Sequence, residues 1–590
     1  MIKNDIDLLA EYYQYELSYL RSAGNDFAAR FPKIAKRLDI SHNESSDPHV
    51  ERVIESFAFL TGKLQKQIDD QFPEVASTLL DVLYKPLMLP TPSCTMAYFD
   101  VDVQRASKSP GIVVPKNTLL HANSHTGETC FFRTSHDLPI WPLAINSATI
   151  VQKEHMPSYY ARSTYFLKIS LKYDGVAGSQ TPRKIRIYVH ADALLRGKIF
   201  SAIFASEENI VFQKNESFSF FPKVSPVGLE DSESLLPYPP SIHKGFRLLQ
   251  EYFSFPDKFY GFDVTIPESA LLNGEFFLYI PMSHDVSMRV ATDNFSLFSV
   301  PAINLFPKLS EPLRLDHKQV EYCLVPDYRR YHSHEIYTIE KMVAVDPQNN
   351  DEIEIKEFFS CDHDLDTAVS SILWKSRRKK SYLKDALGED VQVSFVDLDF
   401  NPQFPADRIF YAHTLCTNRY AAEQIPVNGV LQIEISVPTK RIYCADRPTI
   451  QKPCLRNGEI LWKLASALSL NSISFSTDGI NKLKEVLNVF ADIGRSNIAE
   501  EVDSIVSISS DIVTKRINDQ VWNGFVRGSS IEILFDEYIS NMGLPLSMII
   551  AKFLSTYTSI NTFTEVSVKN VSKSGVVKRW DQHFGVRNYL

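Results

Sequence analysis

At the segment YKPLMLPTPS, which carries Pro86, Pro90 and Pro92, the spacing of apolar residues changes from three-and-four to two. Proline lacks a backbone donor and clashes with the preceding helical turn, so no helix continues through this cluster. The pattern therefore divides the chain into a helical N-terminal part and a β-rich part behind it.

Before the prolines, Leu9, Tyr13, Leu17, Leu20, Gly24, Phe27 and Phe31 recur at helical spacing and share one face. Pro32 stops or kinks that helix. Gly24 lies inside the stripe, where a missing side chain lets another helix approach, at a propensity cost of about 1 kcal/mol. A second stripe runs Val50, Val53, Phe57, Leu60 and Leu64, then slips to Ile68 and Phe72, and PEVASTLLDVLY adds Leu79, Leu80 and Leu83. Such stripes suit a helix bundle, with two readings open: internal core, or a seam that meets helices of another chain. On the second reading Tyr13, Leu17, Leu20, Gly24, Phe27, Val53, Phe57, Leu60 and Leu64 are candidate partner-interface residues.

The stretch SSDPHVERVIESFAFL crowds Asp47, His49, Glu51 and Arg52 in a way that suggests catalysis. It reads better as a helix start. Asp47 is a good N-cap, Pro48 suits the first helical position, and Glu51 favours the helix dipole. His49 and Arg52 fall off the apolar stripe, and Val50 at the third position rules out a full capping box.

Beyond residue 95 the period is two. TYFLKISLKY puts Tyr165, Leu167, Ile169, Leu171 and Tyr173 on one side of a strand and Lys168, Ser170 and Lys172 on the other. KIRIYVHA, FFLYI, VSMRVA, EIEIKEFF, VQVSFVDLDF and LQIEISV behave alike, so most of 95–440 is expected to be β-rich. The stretches 225–241 and 374–390 read as loops or linkers. From about 447 the patterns mix: EILWKLASALSL and MIIAKFLSTYTSI look helical, SIEILF a strand, FTEVSVKNVSKSGVVKRW a hairpin. A chain of 590 residues is too long for one core. The expected class is multidomain α+β: a helical bundle segment at 1–90, β-rich regions at 91–300 and 301–446, and a mixed α+β C-terminal domain at 447–590.

Lys plus Arg total 62 against 71 Asp plus Glu, a net charge of -9 that gives no general attraction to nucleic acid or anionic membrane. The first residues lack a secretory pattern, and Lys552 breaks the most apolar C-terminal run, so a cytoplasmic protein is expected. The seven cysteines are scattered and never spaced C-x-x-C, which points to reduced thiols.

Motifs for chemistry fail on their own terms. No G-x-x-x-x-G-K-[ST] loop occurs, His334-Glu335 is followed by Thr338 where a zinc protease needs histidine, and no G-x-S-x-G elbow is present. The HSH of 332–334 and the CDHDLD of 361–366 lack a second ligand cluster and read as solvated loops. Asp397, Asp399 and Asn401 imitate a calcium loop, but Pro402 and Arg408 stand where glycine and glutamate are required. The basic run Lys375, Arg377, Arg378, Lys379 and Lys380 has no interleaved aromatic and precedes acidic LKDALGED, so it reads as a solvated loop or docking surface. No catalytic, cofactor-binding or metal-ligating residue is assigned. From the residues alone, a carboxylate-dependent hydrolase stays open as the alternative class.

Longer blocks carry a resemblance. EYYQYELSYLRSAGNDFAARFPKIAKRL, SSDPHVERVIESFAFLTGKLQKQIDDQFPEV and LLDVLYKPLMLPTPS resemble the N-terminal signature of TssF, a type VI secretion baseplate subunit. FRLLQEYFSFPDKFYGF, PAINLFPKLSEPLRLDHKQVEYCLVPDYRR, LCTNRYAAEQIPVNG, GFVRGSSIEILFDE, YTSINTFTEV and VVKRW are similar to further TssF blocks in the expected order. HSHEIYTIE and the terminal GVRNYL depart from the pattern. The resemblance implies a structural protein without enzymatic activity, cofactor, nucleic-acid or small-molecule ligand, similar to a wedge protein of contractile phage baseplates. It further implies two copies joined to one TssG, engaging TssK and TssE around the VgrG spike, docked to the membrane complex and starting tube and sheath assembly. In that frame the N-terminal stripes are expected to meet TssG, and 91–300 to form a wing-like region.

Overall fold

A computed structural model describes residues 5–35, 48–71, 74–108, 111–153, 163–175, 181–214, 217–238, 244–266, 274–284, 289–315, 319–346, 349, 351–358, 372–381, 388–397, 408–454, 461–464, 477–493, 496–518, 523–536, 544–558, 562–571 and 575–585. Helices and strands are mixed along the chain. Two compact units form, Met1–Leu83 with Leu455–Ser469, and Tyr84–Cys454 with Leu470–Leu590.

The first unit is helical where it is described. Helices α1 (Asp5–Arg30) and α2 (Pro48–Gln71) are followed by α3 (Glu74–Tyr84). Pro48 begins α2 as its fixed φ favours, while Asp47 and its cap lie outside the described residues. Helices α1 and α2 pack antiparallel, because Arg21 pairs with Glu51 at one end and Gly62 meets Tyr12 and Tyr13 at the other. A Cβ on Gly62 would stand 3.1 Å from the Tyr12 carbonyl carbon and the Tyr13 nitrogen. Gly62 thus admits a close backbone approach between these helices. Gly24, the glycine the sequence suggested, is only half-buried.

In the second unit, period-two patterning builds β-structure. A closed barrel runs in the order Cys94–Val101, Ser299–Ile303, Thr129–Thr134, Leu119–Asn123, Gly429–Ile433, Thr439–Cys444. Its inward residues alternate along each strand, with Leu120, Phe132, Val300, Leu431 and Ile442 meeting in one core. Tyr165–Tyr173 pairs antiparallel with Gly274–Met282 and Leu143–Gln152 in a five-stranded sheet. The lysine-bearing face of this strand is only partly solvated, with Lys172 exposed and Lys168 half-buried. Phe166 and Ser170 are buried as well, because Phe166 packs with Val211 and Tyr279 on the second face. Of VSMRVA, residues 286–288 lie outside the described residues and 289–291 are not in a strand.

A larger sheet joins Phe306–Leu309, Ile409–Thr417, Glu335–Val345, Glu352–Glu357, Ile372–Lys380, Glu389–Asp397 and Tyr322–Leu324. The expected loop at 374–390 is therefore strand over 374–380 and again from 389. The physical reason is cross-strand charge: Lys380 lies opposite Glu389 and Lys379 opposite Asp390, while Ile372, Leu373 and Trp374 anchor the buried end. Toward the C-terminus, Ile505–Asn518 and Asn523–Phe535 form a long antiparallel pair. Thr562–Asn570 then runs parallel to Asn523–Phe535 after a crossover through a helix, Leu544–Ser555. That segment is helical, as MIIAKFLSTYTSI suggested, and buried apart from Lys552 and Ser555. Thr562–Asn570 also pairs antiparallel with Val576–Arg579, the expected hairpin. Of EILWKLASALSL, only 461–464 is described, and it is helical. No helix among the described residues is long and apolar enough to cross a membrane.

The stretch 225–238 is irregular but packed, which corrects its reading as a linker. Val227, Leu235 and Leu236 are buried, and Glu233 accepts from Gly228 N and pairs with Arg186. The anchor is Glu251, on the buried helix Lys244–Ser254. Its Oε1 accepts from Leu235 N at 2.9 Å and Leu236 N at 3.3 Å, and its Oε2 pairs with Lys258, which is equally buried. Burial pushes the Lys258 ammonium pKa down, against the pull of Glu251 beside it.

Removing one partner of such a pair strands a buried charge, so Glu251→Ala should cost about 3–5 kcal/mol. Hydrogen exchange should show lost protection at Leu235 and Leu236, and unchanged protection there would refute the role. At Gly62, valine would drive a side chain into the α1 backbone and cost about 1–3 kcal/mol. Circular dichroism should register a destabilised helical transition for Gly62→Val.

Candidate interaction surface

Helix α2 has two differently used faces. Toward α1 lie Glu51, Ile54, Ala58 and Gly62, half-buried or buried at spacings of three and four. Without a side chain at Gly62 the helices touch backbone to backbone at that point. On the opposite side stand Val53, Phe57, Leu60 and Leu64, which are 67%, 54%, 53% and 49% exposed. At about 25 cal/mol per Å² of apolar area, an aligned row of this kind leaves several kcal/mol of burial free energy unrealised. Exposed contiguous apolar area of this sort marks interaction sites in folded proteins.

The candidate residues on α1 are placed differently. Tyr13, Leu17, Leu20 and Gly24 are half-buried, and Phe27, 36% exposed, packs on Phe31 with ring centroids 5.3 Å apart. Tyr15 and Tyr19, which the sequence reading passed over, are the most exposed aromatics of α1. Their spacing of four from one another was the available signal. His49 and Arg52 are exposed and flank the α2 row.

Residues that looked like chemistry take structural places. His334 is buried rather than solvated: its ring packs edge-on against Phe306 at 5.1 Å, and burial, with Lys308 and Arg330 adding, pushes its pKa down to about 4. A neutral core histidine results. His332 is exposed. Within the basic run, Lys379 pairs with Glu321, and Arg378 donates to the carbonyls of Ile336 and Tyr337. These two are fastened inside the sheet rather than in a solvated loop. The CDHDLD motif and residues 399 and 401 lie outside the described residues, and Asp397 ends a strand. Among the six described cysteines, all free thiols, Cys94, Cys130, Cys416 and Cys444 are buried.

Comparison with known proteins places this arrangement. The family described as "Type VI secretion system, TssF" matches residues 6–587. "Type VI secretion system component TssF1" of Pseudomonas aeruginosa is 27% identical over 628 residues, covering 99% of each chain. A chain in a cryo-electron microscopy structure of the type VI secretion system TssK-TssF-TssG baseplate subcomplex superimposes with a TM-score of 0.73 at 20% identity, covering 92% of this chain and 99% of that one. A chain of the type VI secretion system baseplate complex does so with a TM-score of 0.57 at 19% identity, covering 98% and 100%. Those two likenesses show a shared fold. The family match spans nearly the whole sequence: the chain belongs to the TssF family of the type VI secretion system, whose members are structural components and not enzymes.

Proposed function

We propose that the chain is a wedge subunit of the type VI secretion baseplate, two copies joining one TssG and engaging TssK and TssE around the VgrG spike. The assembly sits in the cytoplasm, docks to the membrane complex at the inner membrane, and starts tube and sheath assembly. Family membership supports the baseplate role. The observation that carries the contact itself is the exposed row Val53, Phe57, Leu60 and Leu64 on α2.

In this reading α2 presents a row of i, i+4, i+7 anchors to helices of TssG. On α1 the proposed partner residues are Tyr13, Leu17, Leu20 and Gly24, which are half-buried, and Phe27, which is exposed. Segments 1–90, 91–300, 301–446 and 447–590 are the proposed modules: helical bundle segment, wing-like region, second β-rich region and C-terminal α+β domain. The second copy is held through the β-rich modules.

Coexpression with TssG and measurement of mass should give a two-to-one complex. Phe57→Glu with Leu60→Glu should reduce copurified TssG at least tenfold while the chain alone stays soluble, since both side chains already face water. Full TssG recovery with the double variant would contradict the assignment, and insolubility of the variant alone would make the row internal core.

A further inference from the structure

A cavity of about 390 Å³ lies within the larger unit, in the range of small-ligand pockets, about 300–1,000 Å³. Its lining divides into an apolar set, Leu138, Trp141, Leu143, Leu297 and Phe298, and a charged one. In the second set Lys116, Lys184 and Arg186 stand with Asp137, Glu233 and Asp263.

The backbone makes two concessions to place the aromatic rings. Gly111 has φ +81°, and a Cβ there would stand 3.0 Å from the Trp141 ring, so the indole lies against bare backbone. Phe298 has φ +50°, a left-handed conformation that bulky residues rarely adopt. Its neighbours hold it there. Phe99 N donates to its carbonyl at 3.1 Å, Ser299 Oγ donates to the Leu297 carbonyl at 3.2 Å, and the residue packs against the barrel core. Strain of this kind collects at ligand clamps, where the surroundings over-determine it.

The charged set is fastened unevenly. Arg186 stands opposite Asp263 in the strand register. Its Nε donates to Oδ1 at 2.8 Å and its Nη2 to Oδ2 at 2.9 Å, and Nη2 also pairs with Glu233. Glu233 Oε2 accepts from Gly228 N at 2.7 Å. Arg186 Nη1 lies 3.1 Å from His136 Nε2, and burial, with Arg186 adding, pushes the His136 pKa down to about 3, so the neutral ring accepts from the guanidinium. Arg186, Glu233 and Asp263 are thereby engaged with one another. The lysines are freer. Lys184, 54% exposed, meets Asp263 alone among the contacts described, at 2.5 Å. Lys116 Nζ donates to Ser232 O at 2.9 Å and Ser234 Oγ at 3.0 Å. An ammonium has three donors, so both lysines keep hydrogen-bonding capacity beside the apolar lining. Asp137, the remaining acid, is exposed and accepts from Lys116 N at 2.7 Å.

Three cations and three carboxylates balance, so the site does not call for a polyanion. Ammonium donors beside an apolar lining fit one carboxylate on an apolar body. We propose that this cavity binds a large apolar group bearing a single carboxylate, its body against Trp141 and Phe298 and its carboxylate on Lys116 and Lys184. A partner chain ending in an apolar residue presents that chemistry, and so does a free arylalkanoate.

Calorimetric titration of the full chain with N-acetyl-L-phenylalanine and with its amide tests this. The acid should bind at millimolar concentration and the amide about tenfold or more weakly, the loss expected for charge-assisted hydrogen bonds. Lys116→Met combined with Lys184→Met should bring the acid to the level of the amide and leave the amide unchanged. Arg186 still answers Asp263 in that double variant, so its thermal melt by circular dichroism should stay close to that of the unsubstituted chain. Trp141→Ala should weaken acid and amide alike. A hexapeptide with a free C-terminal phenylalanine that binds about tenfold more tightly than the acid would support the site with a chain terminus as its ligand, and equal affinity would support it with a free carboxylate. Absence of saturable heat with the acid, equal affinity for acid and amide, or acid binding untouched by the double lysine variant would each overturn the site.

Discussion

The contact between Gly62 and the α1 backbone governs what the helical unit can offer. Because the helices meet where a Cβ would stand 3.1 Å from main-chain atoms, α2 turns small residues inward. A helix has one circumference, so Val53, Phe57, Leu60 and Leu64 are left on the far side, in water. The apolar pattern of α2 is therefore two patterns on one helix: a close-packed face of Ala58 and Gly62, and a row of larger residues that supplies no internal core. In an assembly protein the second is where burial free energy is held back until a partner arrives.

The larger unit is organised by a different constraint. Its barrel and sheets bring buried charges together, and each is answered by specific partners: Glu251 by Lys258 and two amides, Arg186 by Glu233 and Asp263, Arg419 by Asp390. Such pairs add little net stability, since desolvation offsets attraction, but breaking one is costly. They therefore fix which loop lies on which strand. The irregular stretch 225–238 is held this way from both sides, by Arg186 and by Glu251.

How much of this was legible in the sequence depended on the range of the interaction. Period alone located α1, α2 and the strands around Tyr165–Tyr173, Glu352–Glu357 and Thr562–Asn570, because the local repeat is what the fold uses. The same stripes could not say which residues face inward, since that choice is made by a contact between Gly62 and residues fifty positions away. The basic run at 375–380 reads from sequence as a solvated loop or docking surface, because nothing local shows that Glu389 and Asp390 stand on the opposite strand. His334 and Glu335 looked like a broken zinc motif, and only the fold shows them buried beside Phe306 and Arg378. The strand Ile505–Asn518 was passed over: its polar alternation SISSDIVTKRIN has few buried positions to announce it.

The placement of the α2 row decides between a chain that is complete alone and one that is finished by a partner. The alkylation rate of Phe57→Cys, read by peptide mass spectrometry with and without TssG, measures it most directly. If the row is the docking face, the thiol reacts at the rate of an open surface position in the free chain, and slows at least tenfold in the complex, while Val320→Cys, at an 85% exposed site of the other unit, reacts equally in both. Equal rates for Phe57→Cys in free and complexed chains would contradict it.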